Sequence, residues 1–243
     1  MKNSVCAIVG AGAGLGKSLA RRFAEEGCTL ALISRTEAGS AESLHAAKKG
    51  NEQLPHQYFK GDATQPSDLE ATIGKIESSL GPVDIAIYNA RGEYQLKDPL
   101  DVTYNELLHI YELEVVGAFA TAKAVLPAML ERGRGSIFFS SATAAYRGSG
   151  TNPLYAIGKF GLRALSQSLA KAYGKKGIHV AHFRLDATLD VPEVREWMGE
   201  KFLVEETSNT DDVAKTYWWT HKQPRSSWSN EIELRPYTEE WTY

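Results

Sequence analysis

Tyr155 and Lys159 stand four residues apart in Tyr155-Ala-Ile-Gly-Lys159, a spacing that puts both on one face of a helix. A free phenol titrates near 10, too high to trade a proton readily at neutral pH. An ammonium one turn away favours the phenolate, so the pair has the makings of a general acid/base. The same spacing also describes an ordinary helix-surface pair, and only the surroundings decide.

Those surroundings begin near the N-terminus. Val5, Cys6, Ala7, Ile8 and Val9 form an apolar run too short for a helix, followed by Gly10, Gly12, Gly14 and Gly16. Leu15, Leu19, Ala20 and Phe23 then recur at helical spacing, and Gly27 sits where a helix-ending glycine belongs. Strand, glycine turn and helix together aim free backbone N–H groups and the positive end of a helix dipole at a phosphate. A strict dinucleotide fingerprint from Gly10 needs glycine where Leu15 stands. A P-loop finds its Gly-Lys-Ser in Gly16, Lys17 and Ser18, but Ala11 replaces its first glycine. The looser spacing Gly10-x-x-x-Gly14-x-Gly16 fits in full. In a dinucleotide site Lys17 is a solvated helix residue, in a P-loop a phosphate ligand. The turn alone leaves both open.

The elements that must position these groups alternate along the chain. Strands are expected at 5–9, Cys28–Ser34, 56–60, Val83–Tyr88, 135–141, 179–184 and Glu231–Leu234. Helices are expected at 37–49, at 67–80 with Ser67 as N-cap, and at 155–173. One long helix should run from about 103 to 131, and short ones cover 191–198 and 211–221. This pattern predicts an α/β protein: a Rossmann-like, doubly wound parallel β-sheet with helices on both faces, in a single domain over 1–243. Ligands of such sheets bind at the carboxyl ends of the strands. That singles out 10–16, Ser34 and Arg35, Asp62 and Ala63, 89–91, 140–143 and 185–188.

Composition narrows the class. With 243 residues and 43% hydrophobic content, the chain can bury one sizeable core. A net charge of −3 with interspersed signs offers no general attraction to nucleic acid or anionic membrane. No apolar run approaches the roughly 18 residues of a membrane span, and no N-terminal targeting pattern precedes Ser4. Cys6 and Cys28 read as small core residues in a reducing cytoplasm, with neither disulfide nor metal site expected.

Gly10, Gly14 and Gly16, Asp62, Asn89-Ala90, Ser140-Ser141 and Tyr155 with Lys159 together make the chain resemble the short-chain dehydrogenase/reductase family, from Ser4 to about Leu234. The resemblance implies an oxidoreductase that moves a hydride between a nicotinamide cofactor and a carbonyl or secondary alcohol. It implies Tyr155 as general acid/base and Lys159 as holder of the nicotinamide ribose. It places Gly10, Gly14, Leu15 and Gly16 at the cofactor phosphates, and Asp62, Ala63 and Asn89 beside the adenine and its ribose. It also implies a homodimer or homotetramer, in which the two long helices pair with their copies; the alternative is that the sheet satisfies their apolar stripes.

Departures from the family pattern are as informative. The family's catalytic serine lies thirteen residues before the tyrosine, where this chain has Ala142, with Ser141 before it and Thr143 after. Either hydroxyl is a candidate, and both could merely cap a strand end. The asparagine of the family's middle helix aligns with Glu114, whose charge would pair with Lys159 and weaken the help given to Tyr155. Arg91 replaces the glycine after Asn89-Ala90, and Leu185-Asp186 replaces the Pro-Gly after the sixth strand, altering a nicotinamide contact.

Cofactor choice follows from the end of the second strand, where an NAD site carries an acid. Ser34-Arg35-Thr36 offers an arginine suited to the 2′-phosphate of NADP, with Glu37 near enough to keep NAD possible. The positions Arg91, Tyr94, Tyr146, Arg147 and Asp186 lean toward an oxygenated or acidic carbonyl substrate. Tyr217, Trp218, Trp219, Trp228, Tyr237, Trp241 and Tyr243 exceed what a small last element should bury, which favours a subunit contact or pocket closure. Two other classes compete: a cofactor-binding sensor or scaffold without turnover, and a P-loop phosphotransferase. The latter needs an Asp for Mg²⁺ at a strand end, where this chain has Asn89.

Overall fold

The apolar N-terminal run forms β1 (Ser4–Val9), every residue of which is buried. In the computed structural model, which describes residues 4–239, β1 is an interior strand of a seven-stranded sheet. The other strands are β2 (Cys28–Ser34), β3 (Gln57–Lys60), β4 (Val83–Tyr88), β5 (Gly135–Ala142), β6 (Ile178–Leu185) and β9 (Glu231–Leu234). The order is β3-β2-β1-β4-β5-β6-β9 and every pairing is parallel. Strands covered on both faces need apolar side chains on both, which is why β1, β2 and β4 are runs of Val, Ile, Leu and Ala rather than alternating patterns.

Helices α1 (Leu15–Glu25), α2 (Glu37–Gly50) and α8 (Thr210–His221) cover one face, where Phe23, Leu30, Phe138, Phe183 and Tyr217 pack. On the other face lie α3 (Pro66–Leu80), α5 (Gly117–Arg132) and α6 (Pro153–Tyr173), around Tyr88, Phe139, Val125 and Leu162. The chain reverses winding direction between β1 and β4. Both strands' carboxyl ends open there on a crevice, as a doubly wound sheet requires.

Some elements differ from the sequence reading. Pro66, whose missing N–H costs nothing in a first turn, opens α3, so Ser67 lies inside the helix and caps nothing. The expected long helix is three pieces: α4 (Tyr104–Tyr111), a π turn (Glu112–Val116) and α5. The π turn widens the backbone where Tyr88 donates its buried hydroxyl to the Leu113 carbonyl. The helical run Tyr104–Arg132 is long and apolar enough to cross a membrane by length and composition, contrary to the expectation of no such run. Half of its apolar window is buried against the protein's own core.

A small parallel pair, β7 (Thr188–Asp190) with β8 (Thr207–Asn209), brackets α7 (Pro192–Met198), and three-residue strands leave no period to read. The C-terminal aromatics also find partners within the chain. Tyr217 stacks on Phe183 at 3.6 Å, Trp218 meets Phe23 edge-on at 5.4 Å, and Trp228 stacks on His179 at 4.6 Å. These three therefore pack within the chain, two against β6 and Trp218 against α1. Trp219 and Tyr237 are exposed, while Trp241 and Tyr243 lie outside the described residues.

Candidate active site

The glycine turn is a cradle made by close packing. Gly10 has φ +82, and a Cβ there would lie 2.4 Å from the Ala90 nitrogen, so only glycine fits beside β4. The amides of Gly10 and Ala11 both donate to the Ile33 carbonyl, at 2.9 and 3.2 Å, tying the turn to the end of β2. A Cβ on Gly16 would lie 3.0 Å from the Ala11 backbone, while a Cβ on Gly12 would face open space. Gly14 is the N-cap of α1 and supplies no side-chain cap, and the first turn carries no acid. Uncapped N–H groups at a helix N-terminus suit an anionic phosphate. The Leu15 side chain is buried in the core, so its backbone is what it can offer a ligand.

The P-loop arrangement does not form. Lys17 turns to Glu42 of α2 at 3.1 Å, and Ser18 shares a hydrogen bond with Thr210 of α8 at 2.8 Å. Both point away from the turn's mouth. Lys17 is the partly solvated helix residue of the dinucleotide reading.

Around the cradle, Arg35 is exposed at the end of β2, beside Thr36, which caps α2 through the Gly39 amide. Asp62 accepts from the Thr64 backbone and hydroxyl at 2.9 and 2.8 Å. Burial would raise its carboxyl, but these hydrogen bonds and the charge of Arg35 outweigh it and hold the group below the usual range. Ala63 is buried, and its carbonyl sits so near Gly117 that a Cβ there would lie 2.1 Å away. Asn89 spends its side-chain amide on the Gly10 carbonyl at 2.9 Å, locking the ends of β1 and β4 together.

At the other side of the crevice, Asn152 caps α6 by accepting from the Tyr155 amide at 3.4 Å. Tyr155 is half-buried, and Lys159 Nζ lies 5.5 Å from its ring centre. Lys159 is 2% exposed and donates to Glu114 Oε2 at 2.8 Å and to the Ser140 carbonyl at 3.3 Å. Glu114, fully buried in the π turn, accepts from the Gly92 amide at 2.8 Å with its other oxygen. A Cβ on Gly158 would meet Glu114 Cγ at 2.8 Å, so the glycine beside Lys159 makes room for the carboxylate. A hydrogen-bonded path thus runs from Gly10 through Asn89, then from Gly92 through Glu114 and Lys159 to Ser140.

Strand parity separates the hydroxyls. Ser140 lies on the α8 face and accepts from the Tyr217 hydroxyl at 2.9 Å. Ser141 has the parity of Ile137 and Phe139, the face covered by α6, and its buried Oγ has no partner among the described residues. The Thr143 hydroxyl is committed to Asp186. Nearer solvent, Arg91 is exposed, and the 60%-exposed Tyr94 meets the Tyr155 ring edge-on at 5.9 Å. Tyr146 is occupied by Arg184 and Arg163, at 4.6 and 5.6 Å from its ring centre. Among the described residues no three His, Cys, Asp or Glu side chains gather as a metal site needs.

What sequence reasoning missed is the binding together of these groups. The links Gly92–Glu114 and Arg235–Asp186 join residues 22 and 49 positions apart and leave no local signal. The one available hint was the pair of glycines, Gly92 and Gly158, flanking Glu114.

The profile of the short chain dehydrogenase family matches residues 4–189. A 3-oxoacyl-[acyl-carrier-protein] reductase of Bos taurus is 31% identical over 180 residues, covering 73% of each chain. Among solved structures, a short-chain dehydrogenase from Rhodopseudomonas palustris superposes with a TM-score of 0.81 at 28% identity, over 98% of this chain and 100% of the other. An alcohol dehydrogenase of the archaeon Thermococcus sibiricus, complexed with 5-hydroxy-NADP, gives 0.85 at 21% identity over 99% of each. The chain belongs to the short-chain dehydrogenase family: it is an oxidoreductase of the class that acts on carbonyl or alcohol groups with NAD(P).

Proposed function

We propose that the protein is an NADP(H)-preferring carbonyl reductase or alcohol dehydrogenase with Tyr155 as its general acid/base. The observation that carries this reading is the joining of an uncapped glycine cradle to the Tyr155–Lys159 pair across one crevice. Gly10, Gly14, Gly16 and the Leu15 backbone would hold the cofactor phosphates, Arg35 the 2′-phosphate, and Asp62, Ala63 and Asn89 the adenosine side. The bound nicotinamide supplies or accepts the hydride. Tyr155 gives its hydroxyl proton to the nascent alkoxide in reduction and takes it back in oxidation. Ser141, the partnerless hydroxyl on the α6 face, holds the substrate oxygen. Lys159 lies over the Tyr155 ring and would hold the nicotinamide ribose, and Glu114 fixes its ammonium.

With Tyr146 occupied and Asp186 bonded to Thr143 and Arg235, substrate contact falls to Arg91, Tyr94 and Arg147, all of them exposed. This supports an oxygenated or acidic carbonyl compound. Tyr104, Leu108 and Tyr111 of α4, Phe119 of α5, and Ile157 and Phe160 of α6 are exposed, which supports a homodimer or homotetramer assembled through these helices. Burial raises the Cys28 thiol to about 12 and pushes the Cys6 thiol up as well, which makes both inert, and that the two are free supports a reducing, cytoplasmic setting. Equilibrium titration with NADPH, NADH and Mg-ATP, followed by a carbonyl and alcohol screen, tests the reading. NADPH should bind most tightly and support turnover. Tight NADPH binding with no turnover of any compound would leave a sensor.

A further inference from the structure

Leu234 at the end of β9 and the stretch that follows it bond both ends of segment 186–206, which runs from the carboxyl end of β6 to the start of β8. Arg235 Nη2 donates to Asp186 Oδ2 at 2.6 Å, and the Asp186 amide donates to the Leu234 carbonyl at 2.8 Å. Further on, the Thr238 hydroxyl donates to the Glu205 carbonyl at 2.7 Å. Arg235 also pairs with Glu233, which pairs in turn with Arg184 on the neighbouring strand. Asp186 is 7% exposed and stands at the carboxyl end of β6, where its other oxygen accepts from Thr143 at the end of β5. A carboxylate that deeply buried requires a counter-charge, and Arg235 supplies it.

We propose that Arg235 is a positioning residue for the nicotinamide end of the cofactor site. By neutralising Asp186 it keeps an uncompensated negative charge out of the crevice and keeps Thr143 bonded, so that Ser141 remains the available hydroxyl. This inference rests on the NADP(H) reading above. Its signature is electrostatic. The oxidised nicotinamide ring carries a positive charge and the reduced ring does not, so a bare Asp186 carboxylate disfavours NADPH relative to NADP⁺.

The test is direct titration of the wild type, Arg235→Lys, Arg235→Gln and Asp186→Asn/Arg235→Gln with NADPH and with NADP⁺. Arg235→Gln should weaken NADPH about tenfold and NADP⁺ several-fold less. Arg235→Lys and the double variant should return the ratio to that of the wild type. Should Arg235→Gln not fold, the double variant, which buries no charge at that pair, must fold and show the wild-type ratio. Equal loss for both nucleotides, no loss at all, or a double variant that fails to fold or to recover the ratio would overturn the proposal. A wild type that binds neither nucleotide would instead remove the cofactor reading on which it stands.

Discussion

The two sides of the crevice are built from different materials. The cradle at the end of β1 is backbone: Gly10 against Ala90, Gly16 against Ala11, and an α1 N-terminus with no side-chain cap. The side formed by β5, β6, α6 and the π turn is a mesh of charged and hydroxylated side chains, with Lys159, Glu114, Ser141, Thr143, Asp186 and Arg235 held in or under it. A backbone cradle binds any ligand with the right phosphates and tolerates drift in its neighbours. A side-chain mesh fixes one chemistry and changes with single substitutions. The cradle keeps the family's glycine spacing; of the departures, Ala142, Glu114 and Asp186 belong to the other side, while Arg91 follows the Ala90 that walls the cradle.

Disabling one side without the other breaks this comparison most forcefully. Tyr155→Phe keeps the ring and its contact with Tyr94 but removes the proton. Turnover should fall by roughly 10²–10⁴-fold, with NADPH affinity little changed. Single-turnover kinetics beside a binding titration would show it; a parallel loss of affinity would mean that the two sides are not separable.

Glu114→Asn tests the mesh itself. It leaves the buried Lys159 ammonium without its carboxylate, which should lower unfolding stability by about 3–5 kcal/mol in urea titrations. In whatever fraction stays folded, removing a negative charge near Tyr155 makes the phenolate easier to form. The basic limb of alcohol oxidation should then move to lower pH. An unmoved limb would confine Glu114 to a packing role.

Arg35→Asp does the converse on the cradle side, where Arg35 is exposed and acts on its neighbours only through the charge it presents to Asp62. It should weaken NADPH by about 1.5–3 kcal/mol and improve NADH relative to NADPH, with a smaller effect on stability than Glu114→Asn. An unaltered preference would move cofactor choice elsewhere, with Glu37 the nearest acid.

The same contrast explains what could be read from the residues alone. The strands of the sheet and the helices behind them came from apolar runs and glycines, which act over a few neighbours. β2, β4 and β9 fall at the expected bounds. The break at Glu112–Val116 did not, since a π turn has no composition of its own; here it goes with Tyr88 and Ala63 pressing on the start of α5. The hydroxyl question could not be resolved by counting back from Tyr155. Counting assumes a fixed loop after β5, whereas parity along β5 puts Ser141 on the α6 face. Asp186 and Arg235 came together only because β9 joins the sheet beside β6.

A smaller effect, set by pH, arises away from both sides of the crevice, at the N-terminal end of β5. His221 on α8 shares a hydrogen bond with Ser136 of β5 at 2.9 Å, and its Nε2 is buried without a partner among the described residues. Burial, with the charges of Lys222 and His179, lowers it to about 4, and burial lowers His179 as well. An unfolded histidine titrates near 6.5. Between those values the unfolded chain binds protons that the folded chain refuses, so stability is full above about 6.5 and falls as the pH drops toward 4. The expected loss from His221 is about 1–2 kcal/mol, after allowance for the ring's partial contact with solvent. Glu231, held at about 2 by His182, Arg163 and Gln167 against its burial, keeps its contribution until lower pH and does not blur this window. His221→Gln preserves a partner for Ser136 and cannot titrate, so its unfolding midpoint should change less between pH 7 and 4.5 than that of the wild type. Hydrogen exchange over the same range should quicken first in α8 and β6 and last in β1 and α1. Equal slopes for variant and wild type would show that the acid sensitivity comes from groups other than His221.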